Sequence, residues 1–329
     1  MHKELELWKF IAERLARDES VMLLVVTESS GSSPGRQGYK MAVGADGELI
    51  GSIGGGVMEV NLVEESRALL RDAETGGRRD SGMSRLSQQV HQPDSPNASG
   101  MICSGKQTVI FKFLTPDDSS TVSTIVEALQ ETRRGVLEIT PTLLSIRPPE
   151  GGPQNKGEPG NNPESEGFAY TEQLGFKNDL YIIGGGHCAL ALSELMSKMD
   201  FRISLFDDRP ELNTIDKNRF AHEIRIVDSY VEIAREIASG DRSFVVVMTL
   251  GYKSDEAVIR ALIDYDFKYF GVLGSNAKMS VMLRKLSKEG LPAEKLDRIR
   301  TPIGIPIHSR TPEEIAISIA AEIIAVKNA

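Results

Sequence analysis

The chain predicts an α/β protein in two parts, a mixed α+β N-terminal domain followed by a Rossmann-like domain with a mainly parallel sheet. Three observations predict it. At 329 residues the chain exceeds one ordinary domain and is long enough for two cores. Residues 148–167 read PPEGGPQNKGEPGNNPESEG, half of it Pro or Gly, and such a segment cannot repay its ordering entropy by burial. Beyond it, short apolar runs alternate with helical patterns, the rhythm of βαβ units on a parallel sheet. The expected boundaries are a first domain at 1–147, a linker at 148–167 and a Rossmann-like domain at 168–329.

In the first part, Leu7, Ile11 and Leu15 recur at helical spacing, and the apolar run 21–26 then reads as a buried strand. Ala45-Asp46-Gly47 is a turn signal between residues 39–43 and 48–50, which predicts a hairpin. Gly54, Gly55 and Gly56 open a helical stretch carrying Met58, Leu62 and Leu69, so uncovered backbone amides meet a helix start that attracts anions. Residues 107–114 and 136–140 predict further strands, with a helix around Val122, Ile125, Val126 and Leu129 between them. In the second part, strands are expected at 180–183, 203–206, 223–227, 243–248 and 269–273. The last helix should start at Thr311 as N-cap, with Pro312 at its first position and Glu314 completing a capping box.

The sharpest local signal follows the first strand of the second part. Gly184, Gly186 and Ala189 fit G-x-G-x-x-G/A, with His187 at the phosphate end of the turn. Asp207 and Asp208 end the next strand, where a ribose-binding acid is expected. Followed by Arg209 and Pro210, either carboxylate can instead pair with arginine or cap a turn. The alternative for the glycines is close packing of helix on strand.

Composition excludes several functions. Acidic residues outnumber basic ones, 47 to 38, giving a net charge of −9 that disfavours general binding to nucleic acid or anionic membrane. The N-terminal MHKELELWKFIAERL mixes charges with apolar residues, and no run is long enough to cross a bilayer, so a cytoplasmic location is expected. Two cysteines, Cys103 and Cys188, cannot build a disulfide scaffold or a four-cysteine metal site. The histidines lie in no paired metal-binding spacing, and there is no Walker A sequence. Cys188 reads as a small core residue. Cys103, in GMICSGKQTVIF, has Gly105 and Lys106 close by, a setting in which amides and a cation lower a thiol's pKa; a buried inert cysteine is the alternative.

Several separated segments carry a resemblance: Gly31-Ser32-Ser33-Pro34, Gly51-Ser52-Ile53-Gly54-Gly55-Gly56-Val57-Met58-Glu59, the Cys103 segment, Gly184-Gly185-Gly186-His187, Phe206-Asp207-Asp208-Arg209-Pro210, Gly271-Val272-Leu273-Gly274-Ser275 and Pro302-Ile303-Gly304-Ile305. Jointly they resemble, over nearly the whole chain, the XdhC/CoxI accessory proteins of molybdenum hydroxylases such as xanthine dehydrogenase and carbon monoxide dehydrogenase. The resemblance implies a chaperone rather than an enzyme, one that binds molybdenum cofactor (molybdopterin or its dinucleotide form), supports its sulfuration and inserts it into an apo-hydroxylase. The implied partners are that client and a cysteine desulfurase. The implied cofactor-binding residues are Cys103, Gly54, Gly55, Gly56, Gly184, Gly185, Gly186, His187, Asp207 and Asp208, with the Cys103 thiol facing molybdenum because soft thiolates suit such a centre. A homo-oligomer is expected, since cargo needs shelter and a loose linker leaves the two domains without fixed orientation. The chain departs from the family pattern at Cys103-Ser104-Gly105, in place of Cys-Gly-Gly, at Pro34-Gly35-Arg36, in place of Pro-Arg, and at Thr249-Leu250, in place of Thr-His. The residues alone leave open an NAD(P)-dependent oxidoreductase and a nucleotide-sensing regulatory protein.

Overall fold

The computed structural model describes residues 3–31, 33–76, 84–91, 105–149 and 167–329. The chain forms two compact units, Met1–Gly175 and Phe176–Ala329.

The first unit begins with α1 (Lys3–Leu15), whose Leu7, Trp8, Ile11 and Leu15 are buried. There follow β1 (Val21–Gly31), β2 (Lys40–Gly44), β3 (Leu49–Gly51), α2 (Gly56–Glu74), β4 (Arg85–His91) and β5 (Gly105–Leu114). These strands make an antiparallel sheet in the order β3-β2-β1-β5-β4. Residues 21–26 of β1 are apolar without alternation because both faces of the sheet are covered. Val21, Leu23 and Val25 pack in the core of α1, while Met22, Leu24 and Val26 pack with Met58, Leu62 and Leu70 of α2. The unit continues through α3 (Ser119–Gln130), β6 (Gly135–Ile139), β7 (Leu144–Arg147) and β8 (Tyr170–Leu174), and its last three strands form a small sheet in the order β7-β6-β8.

The strand β8 differs from the expected boundaries, which put it at the start of the second domain. It pairs antiparallel with β6, and its Tyr170 and Leu174 join the core of α1 and β1. A buried charge cluster reinforces this placement. Lys40 of β2 bridges Glu172 of β8 at 2.5 Å and Glu4 of α1 at 3.0 Å, while Glu4 also accepts the Gly175 N–H. Burial lowers the Lys40 pKa, but the two carboxylates outweigh it and hold the ammonium charged, its pKa above the ordinary lysine value. Most of the Pro/Gly-rich segment, including 150–166, lies outside the described residues.

The second unit alternates strand and helix through β9 (Asn178–Ile183), α4 (His187–Met196), β10 (Phe201–Asp207), α5 (Asn213–Lys217), β11 (Glu223–Ile226), β12 (Gly240–Val247), α6 (Tyr252–Leu262), β13 (Phe267–Val272), α7 (Asn276–Lys288), α8 (Ala293–Leu296) and α9 (Pro312–Asn328). Its sheet is parallel throughout, in the order β11-β10-β9-β12-β13. One face packs on α4 and α9 through Leu192, Met196, Ile319 and Ile323, and the other on α6 and α7 through Ile259, Leu262, Met279 and Met282. Thr311 accepts the Glu314 N–H while the Glu314 carboxylate accepts the Thr311 N–H, so the expected capping box starts α9. The chain leaves β9 toward β10 and β11, then crosses back to lay β12 on the other side of β9. The carboxyl ends of β9 and β12 therefore flank a topological switch point, where open α/β sheets bind ligands.

Candidate functional site

The glycine turn links β9 to α4 at this switch point. Gly184 has φ +107°, and a Cβ there would stand 2.3 Å from the Met248 carbonyl oxygen after β12. Only glycine serves there, because it lets two backbones touch. A Cβ on Gly185 would press on Ile215 at 2.9 Å. Gly186, the N-cap of α4, is different: a Cβ built there meets nothing within 4 Å. The three glycines thus divide into two that pack the turn and one that opens onto free space.

Of the two predicted ribose acids, Asp207 turns inward. Its side chain is fully buried and accepts the Gly185 N–H at 2.6 Å, the Arg209 N–H at 2.9 Å and two guanidinium donors of Arg209 at 2.7 and 2.8 Å. Burial raises its pKa, but these donors outweigh burial and hold the carboxyl below the usual range. Asp207 therefore braces the glycine turn, the arginine-paired alternative to ribose binding. Thr214 adds a second brace, donating its hydroxyl to the Gly185 carbonyl oxygen at 2.5 Å. Asp208 stays exposed, its Oδ1 accepting the Tyr230 hydroxyl at 3.2 Å. His187, the first residue of α4, is exposed and carries no side-chain hydrogen bond to the described residues. Cys188 is half-buried, and burial followed by the nearby Glu313 charge pushes its thiol pKa up, keeping it protonated and unreactive.

A second helix start faces the same switch point, and the sequence reading missed it. After β12 the chain runs through Thr249, Leu250 and Gly251 into α6, and Gly251 is an N-cap with nothing within 4 Å of a built Cβ. Neither α4 nor α6 has a side-chain cap, whereas α7 is capped by Ser275 and α9 by Thr311. α5 and α8 also lack a side-chain cap, but their N-caps are Leu212 and Pro292; α4 and α6 each start at a glycine and follow adjacent strands, so their N-terminal N–H groups and positive dipole ends lie at one mouth. The available signal was a glycine directly before a helical pattern at the end of a predicted strand. Beside this mouth, Asp255 of α6 is buried and joins the Thr249 hydroxyl at 2.6 Å to the Lys278 ammonium of α7 at 2.8 Å.

In the first unit, the helix start at Gly54, Gly55 and Gly56 already holds an anion of the chain itself. Glu59 Oε2 accepts the N–H groups of Ile53 and Gly55, at 2.8 and 3.0 Å, and the Ser52 hydroxyl at 2.8 Å. This loop meets residues 33–35 at Gln107 of β5, a fully buried amide the sequence reading passed over. Gln107 accepts the Ser33 hydroxyl at 2.7 Å and the Gly35 N–H at 3.3 Å, and it donates to the Ile53 carbonyl oxygen at 2.8 Å. Its signal was a long amide at the entrance to the apolar run of β5. Residues 31–35 also spell G-x-S-x-G, the pattern of a hydrolase nucleophile elbow, but Ser33 is buried, bonded to Gln107 and follows an antiparallel strand. Cys103, two residues before β5 in sequence, lies outside the described residues. Among the described residues no group of three or more His, Cys, Asp and Glu is placed to hold a metal ion, and no helix is long and apolar enough to cross a membrane.

Comparisons with known proteins bear on both units. The XdhC Rossmann domain matches residues 180–323, and the XdhC and CoxI family matches residues 14–80. The chain is 24% identical over 305 residues to the uncharacterized protein YqeB of Escherichia coli (strain K12), covering 92% of this chain and 43% of that protein. It is 28% identical over 156 residues to a protein of Bacillus subtilis (strain 168) described as a probable xanthine dehydrogenase subunit, covering 47% of this chain and 44% of that one. The chain thus spans less than half the length of these curated relatives. A crystal structure described as a xanthine dehydrogenase from Bacillus halodurans superposes with a TM-score of 0.71 at 21% identity, over 99% of this chain and 96% of that one, and it shares the fold. With one family match on each unit, the protein belongs to the XdhC and CoxI family.

Proposed function

We propose that the protein is an accessory factor in the maturation of a xanthine dehydrogenase-type molybdenum hydroxylase. It holds molybdenum cofactor as cargo, supports its sulfuration by a cysteine desulfurase and passes it to the apo-hydroxylase. The observation that carries the reading is the pair of uncapped helix starts at Gly186 and Gly251, both open to space, at the switch point of the second unit. A pterin with a phosphate or dinucleotide tail is an anion, and such paired N-termini hold its tail through backbone amides without any net positive charge. Gly184 and Gly185 shape this turn, with Asp207 and Thr214 fixing Gly185. His187 and Asp208, both exposed beside it, are the side chains offered to the cargo, Asp208 through the oxygen that the Tyr230 hydroxyl leaves open.

Cys103 enters the proposal from sequence as the thiol that faces molybdenum during sulfur exchange. A homo-oligomer would shelter the cargo, and a molecular mass in solution tests that part separately. The functional experiment is activation of a purified apo-hydroxylase by this protein loaded with molybdopterin and supplied with a desulfurase. Wild type should yield active client, and Cys103→Ser should fold normally while yielding client with cofactor but little activity. Equal activation by both proteins would reduce Cys103 to a packing residue, and no activation by wild type would refute the role.

A further inference from the structure

The opposite end of the second unit holds a cavity that the glycine turn does not reach. β13 is an edge strand whose carboxyl half is closed by the following chain: Arg300 N–H donates to the Phe270 carbonyl oxygen at 2.8 Å, and Val272 N–H to that of Arg300 at 3.0 Å. Toward its amino end, β13 and residues 295–300 part around a cavity of about 430 Å³. That volume falls within the ~300–1,000 Å³ usual for small-molecule sites.

Two features of the wall select a ligand. The first is charge. Lys268 forms no ion pair with the described residues, and Arg300 reaches Glu322 only at 3.5 Å, the other Glu322 oxygen being taken by the Tyr269 hydroxyl and the Gly304 N–H. Lys295 and Arg298 line the same wall and pair with Asp264 and Asp266, but those carboxylates are 75% and 80% exposed, so water screens both pairs and an incoming anion displaces them at small cost. The second is a set of rings. Tyr265 and Phe267 stack at 6.1 Å and 10°, with Phe270 edge-on to Phe267 at 5.7 Å. Asp297 in the wall supplies an acceptor for a sugar hydroxyl.

We infer that this cavity binds an organic phosphate carrying a planar ring, of the chemistry of a nucleoside monophosphate. The phosphate dianion meets Lys268 and Arg300, and the ring lies against the aromatic wall. The inference stands apart from the proposed cargo role, because the cavity borders the amino end of β13 and the glycine turn follows the carboxyl end of β9.

The test is lysine acetylation of the full chain followed by peptide mass spectrometry, with AMP, adenosine or inorganic phosphate present. Saturating AMP should slow modification of Lys268 by about tenfold, the occupancy expected at about ten times the dissociation constant. Adenosine or phosphate alone should protect far less, and Arg300→Ala should abolish protection while Gly186→Ala leaves it intact. An unchanged Lys268 rate at millimolar AMP would overturn the inference. So would protection by phosphate equal to that by AMP, or protection lost in Gly186→Ala and kept in Arg300→Ala.

Discussion

Replacing Asp207 by alanine tests whether this carboxylate belongs to the turn or to a ligand. In the folded unit it is fully buried and accepts four hydrogen bonds, two from backbone N–H groups and two from the Arg209 guanidinium. The alanine variant strands the buried Gly185 N–H, which costs about 1–3 kcal/mol. Arg209 is 32% exposed and regains water, so its lost ion pair adds only about 1 kcal/mol. The sum is about 3 kcal/mol, and at about 2–4 °C per kcal/mol for a domain of this size the second unit should melt roughly 6–12 °C lower. Asp207→Asn keeps one oxygen for Gly185 and should lose about half as much. The sign of the pH dependence follows from the depressed carboxyl pKa. The wild-type advantage is present above the ordinary carboxylate value of about 3.9 and fades as pH falls through the lower folded value. Far-ultraviolet circular dichroism follows the melt, while Trp8, the single tryptophan, buried in the first unit, reports that unit separately. A variant melting within about 2 °C of wild type would refute the bracing role.

Gly184→Ala should destabilise the second unit by about 2 kcal/mol or more, since the added methyl collides with backbone at a positive φ, and chemical denaturation measures the loss. Lys40→Met leaves Glu4 and Glu172 facing each other in the first unit, at a cost of about 3–5 kcal/mol at neutral pH. Chemical denaturation of the variant measures the loss, and a variant as stable as wild type would argue against the cluster. Gln107→Leu removes the amide that ties residues 33–35 to Ile53, so hydrogen exchange at Gly35 should accelerate by about tenfold or more, with an unchanged rate counting against the tie.

The βαβ rhythm of the second unit was legible because a strand buried on both faces is a continuous apolar run, and the carboxyl halves of β9 and β12 are of this kind. The hairpin of β2 and β3 and the capping box of α9 were legible from local turn and cap chemistry. By contrast, β4, β7 and β8 carry short or polar sequences, and β8 pairs with β6 across the Pro/Gly-rich segment, a pairing about which sequence periodicity holds no information. The same limit applies to the candidate site. The glycines announced the turn, but which of them faces space depends on Met248 and Ile215 packing against Gly184 and Gly185. Asp207 and Asp208 are alike in sequence, and only the fold points one inward to Gly185 and Arg209 and leaves the other exposed. Gln107 and Glu59 organise loops through contacts that no local pattern encodes.

The central claim, that the open helix starts at the switch point hold a pterin cofactor, is tested most directly by native mass spectrometry of the full chain purified from cells that make molybdenum cofactor. The account predicts a bound molybdopterin species in wild type and a loss of about tenfold in affinity, about 1.4 kcal/mol, in Gly186→Ala, whose added methyl fills the free space without disturbing the fold. A chain carrying a nicotinamide dinucleotide, a bare chain, or pterin retained equally by Gly186→Ala would contradict it.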